Sequence, residues 1–267
     1  MGSESQNQNS SSASSSVAGP NPFQHLIGQV VDGRYKVVKI LGQGGMGVVF
    51  LATQTSMKRD VALKMLSPAL ATTPMFAERF RREAEVVSRL KHPGIISIFD
   101  FGQTPEGWVY YTMELLEGEN LKSIVKRDGP MTLGRAINIV EQIGGALAYA
   151  HSQNILHRDM KPHNVMLSII QHKDFAKVLD FGLVKMVDDD QGEENLTTTG
   201  QVLGTPAYMC PKYCRGRPFD ATTEVFAFGC VIAEVLTGQV QRRATAQDPT
   251  VVDHAETIDE DFHKRLC

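Results

Sequence analysis

No part of the sequence is long and apolar enough to predict a membrane-spanning helix, because no apolar run approaches about 18 residues. The chain begins with a polar segment that lacks the hydrophobic stretch of a secretory signal. From these two absences we expect no membrane span and a cytoplasmic location.

The chain also has little net charge and few cysteines. The 27 basic and 30 acidic residues give a formal net charge of −3, without a dense Lys/Arg block, so we expect no nucleic-acid partner. Of the four cysteines, Cys210 and Cys214 are four positions apart, but no second Cys/His pair at ligand spacing accompanies them. Reduced thiols are therefore expected rather than a metal site or a disulfide framework.

Apolar residues make up 42% of the 267 positions, which is enough for one large or two small folded domains. Residues 1–22 are the exception, since Ser, Gln and Asn dominate and almost nothing there can be buried. This composition predicts a disordered tail.

The densest concentration of reactive side chains lies in the segment 157–164, which reads His-Arg-Asp-Met-Lys-Pro-His-Asn, and in the Asp-Phe-Gly that begins at Asp180. Phosphoryl transfer needs a carboxylate to orient a hydroxyl and accept its proton, and Asp159 can supply it. Lys161 can hold negative charge on the transferring phosphate. Asn164 and Asp180 offer the hard oxygen ligands that Mg²⁺ prefers. The segment therefore predicts a phosphoryl-transfer site.

A β-hairpin is predicted between the two proposed metal ligands. The apolar segments 165–170 and 176–179 read as short strands, and the polar residues 171–174 between them read as a turn. Pairing of the two strands would bring Asn164 and Asp180 together.

A glycine-rich segment follows the predicted strand 35–41. The spacing of Gly42, Gly44 and Gly47 is a weak signal alone, because dinucleotide-binding proteins share it. A dinucleotide fold needs a helix directly after the glycines, whereas residues 48–53 are β-branched and aromatic, as in a strand. A strand, glycine turn and strand would form a flap that can close over phosphates.

Lys64 ends a further predicted strand, 61–64, and a helix is predicted for 75–90. Glu83 lies beside the apolar stripe of that helix, where a carboxylate needs a cation. We predict that Lys64 is that cation. The alternative is that both side chains face water.

Four more segments have regular apolar patterns. Residues 95–101 and 108–114 predict strands. Residues 132–153 predict a helix, with Thr132 as N-cap, that leads into the reactive loop. A last helix is predicted for 223–236, followed by a glycine cap at Gly238.

Together these motifs resemble the eukaryotic-type serine/threonine protein kinases found in bacteria. The resemblance covers about 35–238 and implies an α+β, two-lobed protein-kinase-like fold. It comprises a small antiparallel-sheet lobe, about 35–115, and a mainly helical, apparently truncated lobe, about 116–238. Residues 239–267 are a divergent C-terminal tail. In this family the order Asp-x-Lys goes with serine/threonine specificity.

The resemblance implies ATP and Mg²⁺ as cofactors. Lys64 and Glu83 would hold the α- and β-phosphates, Met113 would be the gatekeeper, and 114–116 would be the hinge that binds adenine. On spacing alone, the apolar members of this site could simply be core residues. The implied catalytic residues are Asp159, Lys161 and Asn164, the metal ligands are Asn164 and Asp180, and the nucleotide-binding residues are Leu41, Gly42, Gly44, Gly47, Val49, Ala62, Lys64, Glu83, Met113, Glu114, Leu116 and Leu167.

The polar segment after Gly182 resembles an activation segment. It implies autophosphorylation at Thr197, Thr198 or Thr199, with self-association for that reaction and with Arg158 pairing the phosphate. Residues 204–209 are similar to a platform for protein substrates. We therefore expect serine- or threonine-containing proteins as partners.

Two positions depart from the family pattern. Lys212 stands where the family has a glutamate, and Glu224 stands where the family has an aspartate that braces the catalytic loop. These changes and the few residues after Gly238 keep an alternative open, namely a pseudokinase or truncated interaction module that binds nucleotide without useful turnover. The main hypothesis is transfer of the γ-phosphate of ATP to Ser/Thr hydroxyls of proteins. A kinase-fold enzyme for a small molecule is a third, weaker hypothesis.

Overall fold

The computed structural model of the chain describes residues 23–44, 47–71, 73–181 and 206–240. It has two lobes, of which the first is built on a six-stranded sheet and the second on helices with a small three-stranded sheet. Within the described ranges no helix is both long and apolar enough to cross a bilayer.

The strands are β1 (Val30–Val31), β2 (Tyr35–Gly44), β3 (Gly47–Gln54), β4 (Arg59–Leu66), β5 (Ile98–Gln103), β6 (Val109–Met113), β7 (Glu119–Asn120), β8 (Val165–Ile170) and β9 (Lys173–Val178). The helices are α1 (Pro68–Ala71), α2 (Pro74–Arg89), α3 (Leu121–Asp128), α4 (Leu133–Ser152), α5 (Pro211–Cys214) and α6 (Ala221–Thr237). Short 3₁₀ turns cover Gln24–Leu26, Pro162–Asn164 and Pro206–Tyr208.

The large sheet is antiparallel, with the strand order β1-β2-β3-β4-β6-β5. Side chains alternate between its two faces, as they must in extended strands. On β3, Val48, Phe50 and Ala52 are buried in the core of the small lobe. Val49 and Leu51 point to the opposite face and are only half-buried. The sheet therefore presents one of its faces to the second lobe.

Helix α2 packs on the sheet through one apolar stripe, as its sequence period predicts. Phe80, Ala84 and Val87 are buried, and the carboxylate-bearing Glu83 is buried with them. Arginines dominate the outward face, where Arg81 pairs with both Glu78 and Glu85 along the helix.

The small lobe begins before the first predicted strand. Phe23 is only 2% exposed, and its ring lies 6.3 Å from that of Phe50 and 5.9 Å from that of Trp108. Strand β1 then pairs with β2. This packing could not be predicted from the sequence, because a single aromatic residue after a polar tail has no periodic pattern.

The second lobe is organised around α4 and α6. Helix α4 buries a continuous stripe of small and branched residues. Asp220 caps α6 by accepting a hydrogen bond from the backbone N–H of Thr223 at 2.9 Å, so the helix starts two residues before the predicted boundary. Gly238, in the left-handed conformation with φ of 71°, ends the helix as predicted.

The hairpin between the proposed metal ligands is present, with a tighter turn than expected. Strands β8 and β9 pair from Val165–Val178 to Ile170–Lys173. The turn is Gln171-His172, with φ values of 49° and 65°, rather than 171–174. Non-glycine residues with positive φ give weak sequence signals, so the pattern placed the second strand too late.

Replacing Phe23 by alanine removes a buried aromatic ring and should lower the free energy of unfolding by about 3 kcal/mol. The exposed neighbour Gln24, changed to alanine, is the control and should shift it by less than 0.5 kcal/mol, as is usual for surface changes. Urea denaturation of the full chain measures both. Equal stability of the two variants would contradict the assigned packing of Phe23.

Candidate active site

The predicted catalytic residues converge in the loop between α4 and β8. The Nζ atom of Lys161 lies 2.6 Å from Oδ2 of Asp159. The amide nitrogen of Asn164 donates to the backbone oxygen of Asp159 at 2.8 Å and to its Oδ2 at 3.1 Å. The carboxylate of Asp159 is thus oriented by two neighbours and remains part-exposed to the cleft.

His157 joins this loop to the segment that carries Asp180. Its ring is fully buried, and Nε2 donates to the backbone oxygen of Leu179 at 2.7 Å. Nδ1 accepts from the backbone N–H of Asp159 at 3.2 Å. Burial lowers the pKa of His157, which favours the neutral ring that this pattern of one donor and one acceptor requires. Sequence reasoning included His157 in the motif but assigned it no role.

Two residues of the site hold left-handed backbone conformations without being glycine. Arg158 has φ of 64° and Asp180 has φ of 49°. Each such residue costs on the order of 1–3 kcal/mol unless the surrounding structure fixes it. The hydrogen bonds of His157 hold both segments, since they reach the residue before Asp180 and the residue after Arg158.

Glu224 of α6 braces the catalytic loop directly. Its side chain is 0% exposed, and Oε1 accepts from the backbone N–H of Arg158 at 2.8 Å. Oε2 contacts Nε2 of His151, at the end of α4. Glu224 is one methylene longer than the aspartate of the family pattern. The longer side chain reaches both the loop and His151, a partner that no local pattern indicated.

Lys64 connects the two lobes. Its Nζ lies 2.6 Å from Oδ1 of Asp180 and 3.7 Å from Oε1 of Glu83. Burial alone would lower the pKa of Lys64, but the facing carboxylates, Asp180 foremost, raise it well above its ordinary value. Burial raises the pKa of Glu83, and the hydroxyl of Tyr111 donates to that carboxyl at 3.3 Å. The structure therefore contains the pairing predicted for Lys64 and Glu83.

The predicted adenine-binding residues lie on strands of both lobes. In the sheet register Val49 pairs with Lys64, and Ala62 pairs with Met113. Since alternate residues of a strand share a face, Ala62 lies on the same side of β4 as Lys64. Leu167 lies on β8 in the second lobe, where it is buried. The predicted adenine-binding residues thus come from strands of both lobes, with Ala62 on the same side of β4 as Lys64.

The glycine flap is formed by the ends of β2 and β3. Gly42 pairs with Val49, and Gly44 pairs with Gly47 next to the turn. A Cβ atom on Gly47 would lie 2.0 Å from the backbone oxygen of Met65, so only glycine fits there. Leu41 precedes the glycines and is exposed. Residues 45 and 46 lie outside the described ranges.

The predicted hinge follows β6. Glu114 is fixed by its side chain, because Oε1 accepts from the backbone N–H of Ser97 at 2.8 Å and from Nζ of Lys177 at 2.7 Å. Leu116 packs against the core of the second lobe. Gly118 has φ of 141°, and a Cβ there would lie 2.0 Å from the backbone oxygen of Leu167. The hinge is therefore anchored to both lobes.

The proposed metal ligands suit Mg²⁺. Both hydrogen bonds of the Asn164 amide group use its nitrogen, which leaves the amide oxygen as the ligand atom. The side chain of Asp180 is 42% exposed towards the cleft. One amide oxygen and one carboxylate suit Mg²⁺, which binds through one or two protein oxygens and completes its shell with phosphates and water.

The other predicted elements of the site lie partly outside the described ranges. Thr197, Thr198 and Thr199 and the segment 182–205 fall there. The guanidinium of Arg158 lies 5.7 Å from the ring centroid of Phe219.

Lys212, which reverses the family's charge, binds both carboxylate oxygens of Asp220 at 2.7 and 2.8 Å. The positive charge of Lys212 therefore has a negatively charged partner eight residues along the chain.

Comparison with known proteins identifies the family. A model described as the protein kinase domain matches residues 35–264. The chain belongs to the protein kinase family. The match extends beyond Gly238, where the resemblance of the motifs ended, and the domain boundaries given above remain predictions.

Bacterial serine/threonine kinases are among the similar proteins. The chain is 40% identical to Pkn3 of Myxococcus xanthus over 213 residues, or 79% of this chain and 39% of that protein. It is 42% identical to PknB of Mycobacterium tuberculosis over 209 residues, or 77% of this chain and 33% of that protein. For PrkC of Bacillus subtilis the identity is 40% over 216 residues, or 80% of this chain and 32% of that protein. The chain thus spans 32% to 39% of the length of these relatives.

Solved kinase domains share the fold. A crystal structure of the PknI kinase domain of M. tuberculosis superposes with a TM-score of 0.66 at 26% identity, covering 91% of this chain and 90% of that one. Rad53 in complex with AMP-PNP gives a TM-score of 0.65 at 25% identity, with 86% and 57% covered. The protein kinase fold, with a curled antiparallel-sheet lobe and a helical lobe containing few helices, is confirmed.

The contact between His151 and Glu224 can be tested by a double-mutant cycle. Changing Glu224 to alanine should lower the free energy of unfolding by about 1–3 kcal/mol, because the buried N–H of Arg158 loses this hydrogen bond. Changing His151 to alanine should also destabilise the chain, because it removes the partner of Glu224 Oε2. The two changes together should be non-additive by roughly 0.5–3 kcal/mol. Urea unfolding measures all four proteins, and Val225→Ala, on the exposed side of α6, is the control. Additive effects would reject the contact.

Proposed function

We propose that this chain is an ATP- and Mg²⁺-dependent protein kinase that transfers the γ-phosphate to Ser/Thr hydroxyls of proteins. The observation that supports it most strongly is the convergence of Lys64, Asp159, Lys161, Asn164 and Asp180 at the boundary between the lobes. The names of the bacterial relatives, all serine/threonine kinases, support the same activity.

The catalytic loop would carry the transfer itself. The Asp159 carboxylate orients the attacking hydroxyl and accepts its proton, since Asn164 and Lys161 hold it in place. Lys161 then contributes its ammonium to the transferring phosphate, where charge accumulates as the leaving bond loosens. Asn164 and Asp180 would hold Mg²⁺, and the bound ion would supply positive charge to the phosphate oxygens of ATP.

The nucleotide would be held by residues of both lobes. Lys64 binds the α- and β-phosphates, and Glu83 keeps the ammonium in position. Met113 closes the back of the adenine pocket, and the backbone of Glu114 and Leu116 supplies its hydrogen-bonding groups. The remaining contacts come from Leu41, Gly42, Gly44, Gly47, Val49, Ala62 and Leu167.

The pseudokinase alternative is not favoured. It drew on Lys212, on Glu224 and on the few residues after Gly238. Lys212 pairs with Asp220, and Glu224 binds the N–H of Arg158. The match to the protein kinase domain extends to residue 264. No group needed for phosphoryl transfer is absent from the loop.

Autophosphorylation at Thr197, Thr198 or Thr199, with self-association for that step, is part of this proposal. Arg158 would pair with the resulting phosphate. A cytoplasmic location and the lack of a nucleic-acid partner remain predictions from composition.

Changing Asp159 to asparagine should reduce transfer of radiolabelled phosphate to a generic protein substrate by about 10²- to 10⁴-fold, because the general base is lost. Asp60→Asn, an exposed position on β4, is the matched control and should retain activity. Equal incorporation by the wild type and Asp159→Asn would reject the enzymatic proposal. An ATP-dependent rise in melting temperature would then still support nucleotide binding.

Lys64→Met should weaken nucleotide binding, because it removes the ammonium that faces the phosphates and leaves Glu83 without its cation. The expected result is a smaller rise in melting temperature with ATP and Mg²⁺ than in the wild type. Lys36→Met, an exposed lysine on β2, should respond like the wild type. An undiminished shift in Lys64→Met would exclude Lys64 from the phosphate site.

A further inference from the structure

A second buried ion pair lies beside the catalytic loop. Glu234 of α6 is 1% exposed, and its Oε1 contacts Nζ of Lys122, on the first turn of α3. The hydroxyl of Tyr208 donates to the other carboxylate oxygen, Oε2. Both oxygens of this carboxylate therefore have a partner from within the chain.

This pair borders the place where an acceptor hydroxyl must approach. Tyr208 lines the same pocket as Asp159 and Lys161. Helix α3 packs against the turn Pro162–Asn164 of the catalytic loop. Burial lowers the pKa of His163 on that turn, and the nearby ammonium groups of Lys161 and Lys122 lower it further.

The two charges differ in what they present to a bound substrate. The carboxylate is buried, and a buried charge needs an opposite charge beside it. The side chain of Lys122 is 25% exposed, and its ammonium has three donors, of which Glu234 occupies one. A substrate thus meets the ammonium of Lys122 and the exposed ring of His163, while the carboxylate is already engaged.

We propose that Lys122 is a specificity-determining residue, which occupies Glu234 so that the chain selects acceptor peptides with acidic rather than basic residues near the phosphorylated hydroxyl. A cationic side chain would meet the like charge of Lys122 here and would find the carboxylate of Glu234 already paired. An acidic side chain would gain a hydrogen-bonding cation. This inference rests on the proposed kinase activity and specifies its substrate class.

The test uses the full chain and a set of peptides that each contain one serine in an alanine-glycine background. Aspartate or arginine is placed in turn at each of the four positions on either side of the serine. For the wild type, aspartate should give about tenfold higher kcat/KM than arginine at one or more positions. The difference should lie in KM and decrease at high salt, because it is electrostatic.

Lys122→Met keeps the apolar stem and exposes the carboxylate. At the same positions it should prefer arginine, while kcat changes little. The double variant Lys122→Met/Glu234→Gln removes both charges and should discriminate neither peptide. Because the double variant has no unpaired buried carboxylate, it keeps the test valid if the single variant fails to fold. The melting temperatures of all variants are compared with that of the wild type. Lys126→Met, one turn further along α3 and exposed, should behave like the wild type.

A wild type that phosphorylates these peptides without regard to charge overturns this inference alone. The same holds if Lys122→Met and the folded double variant both retain the preference of the wild type. Absence of transfer to every peptide and to a generic protein substrate overturns the inference and the proposed activity together.

Discussion

The geometry of the active site depends on one buried carboxylate, that of Glu224. It binds the backbone N–H of Arg158, the residue immediately before Asp159, and Arg158 has a left-handed conformation that its own side chain does not favour. The same carboxylate reaches back to His151 at the end of α4. This carboxylate thus links the helix that enters the loop to the helix beneath it. It helps to position Asp159, together with His157, Lys161 and Asn164.

The position of Glu224 in turn follows from how α6 begins. Asp220 accepts from the N–H of Thr223, and Lys212 binds the carboxylate of Asp220 from the preceding helix. These contacts are short-range in sequence and fix the first turn of α6. The reversed charge at Lys212 therefore stabilises the segment through a neighbour, and needs no partner from a distant part of the lobe.

The parts of the site that the sequence could predict are those in which local chemistry has a fixed spacing. Asp159, Lys161 and Asn164 lie in one loop. The predicted pairing of the two strands that follow brings Asp180 beside them. The amphipathic stripe of α2 located Glu83 at its inner edge. Contacts between distant segments left no such signal. His151 and Phe23 contact residues far along the chain, and neither periodicity nor spacing marks a residue whose partner is set only by the tertiary fold.

Within the described part of the chain, the buried side chains that are normally charged are three glutamates, Glu83, Glu224 and Glu234. Burial of a carboxylate costs more than a hydrophobic replacement of similar volume, so such residues contribute little net stability. Each of the three contacts a group on another element that borders the site, namely Lys64, the loop backbone at Arg158 and Lys122. Their common role is then positional. The fold therefore buries three carboxylates at a desolvation cost, and Lys64, the loop at Arg158 and Lys122 each have a fixed partner as a result.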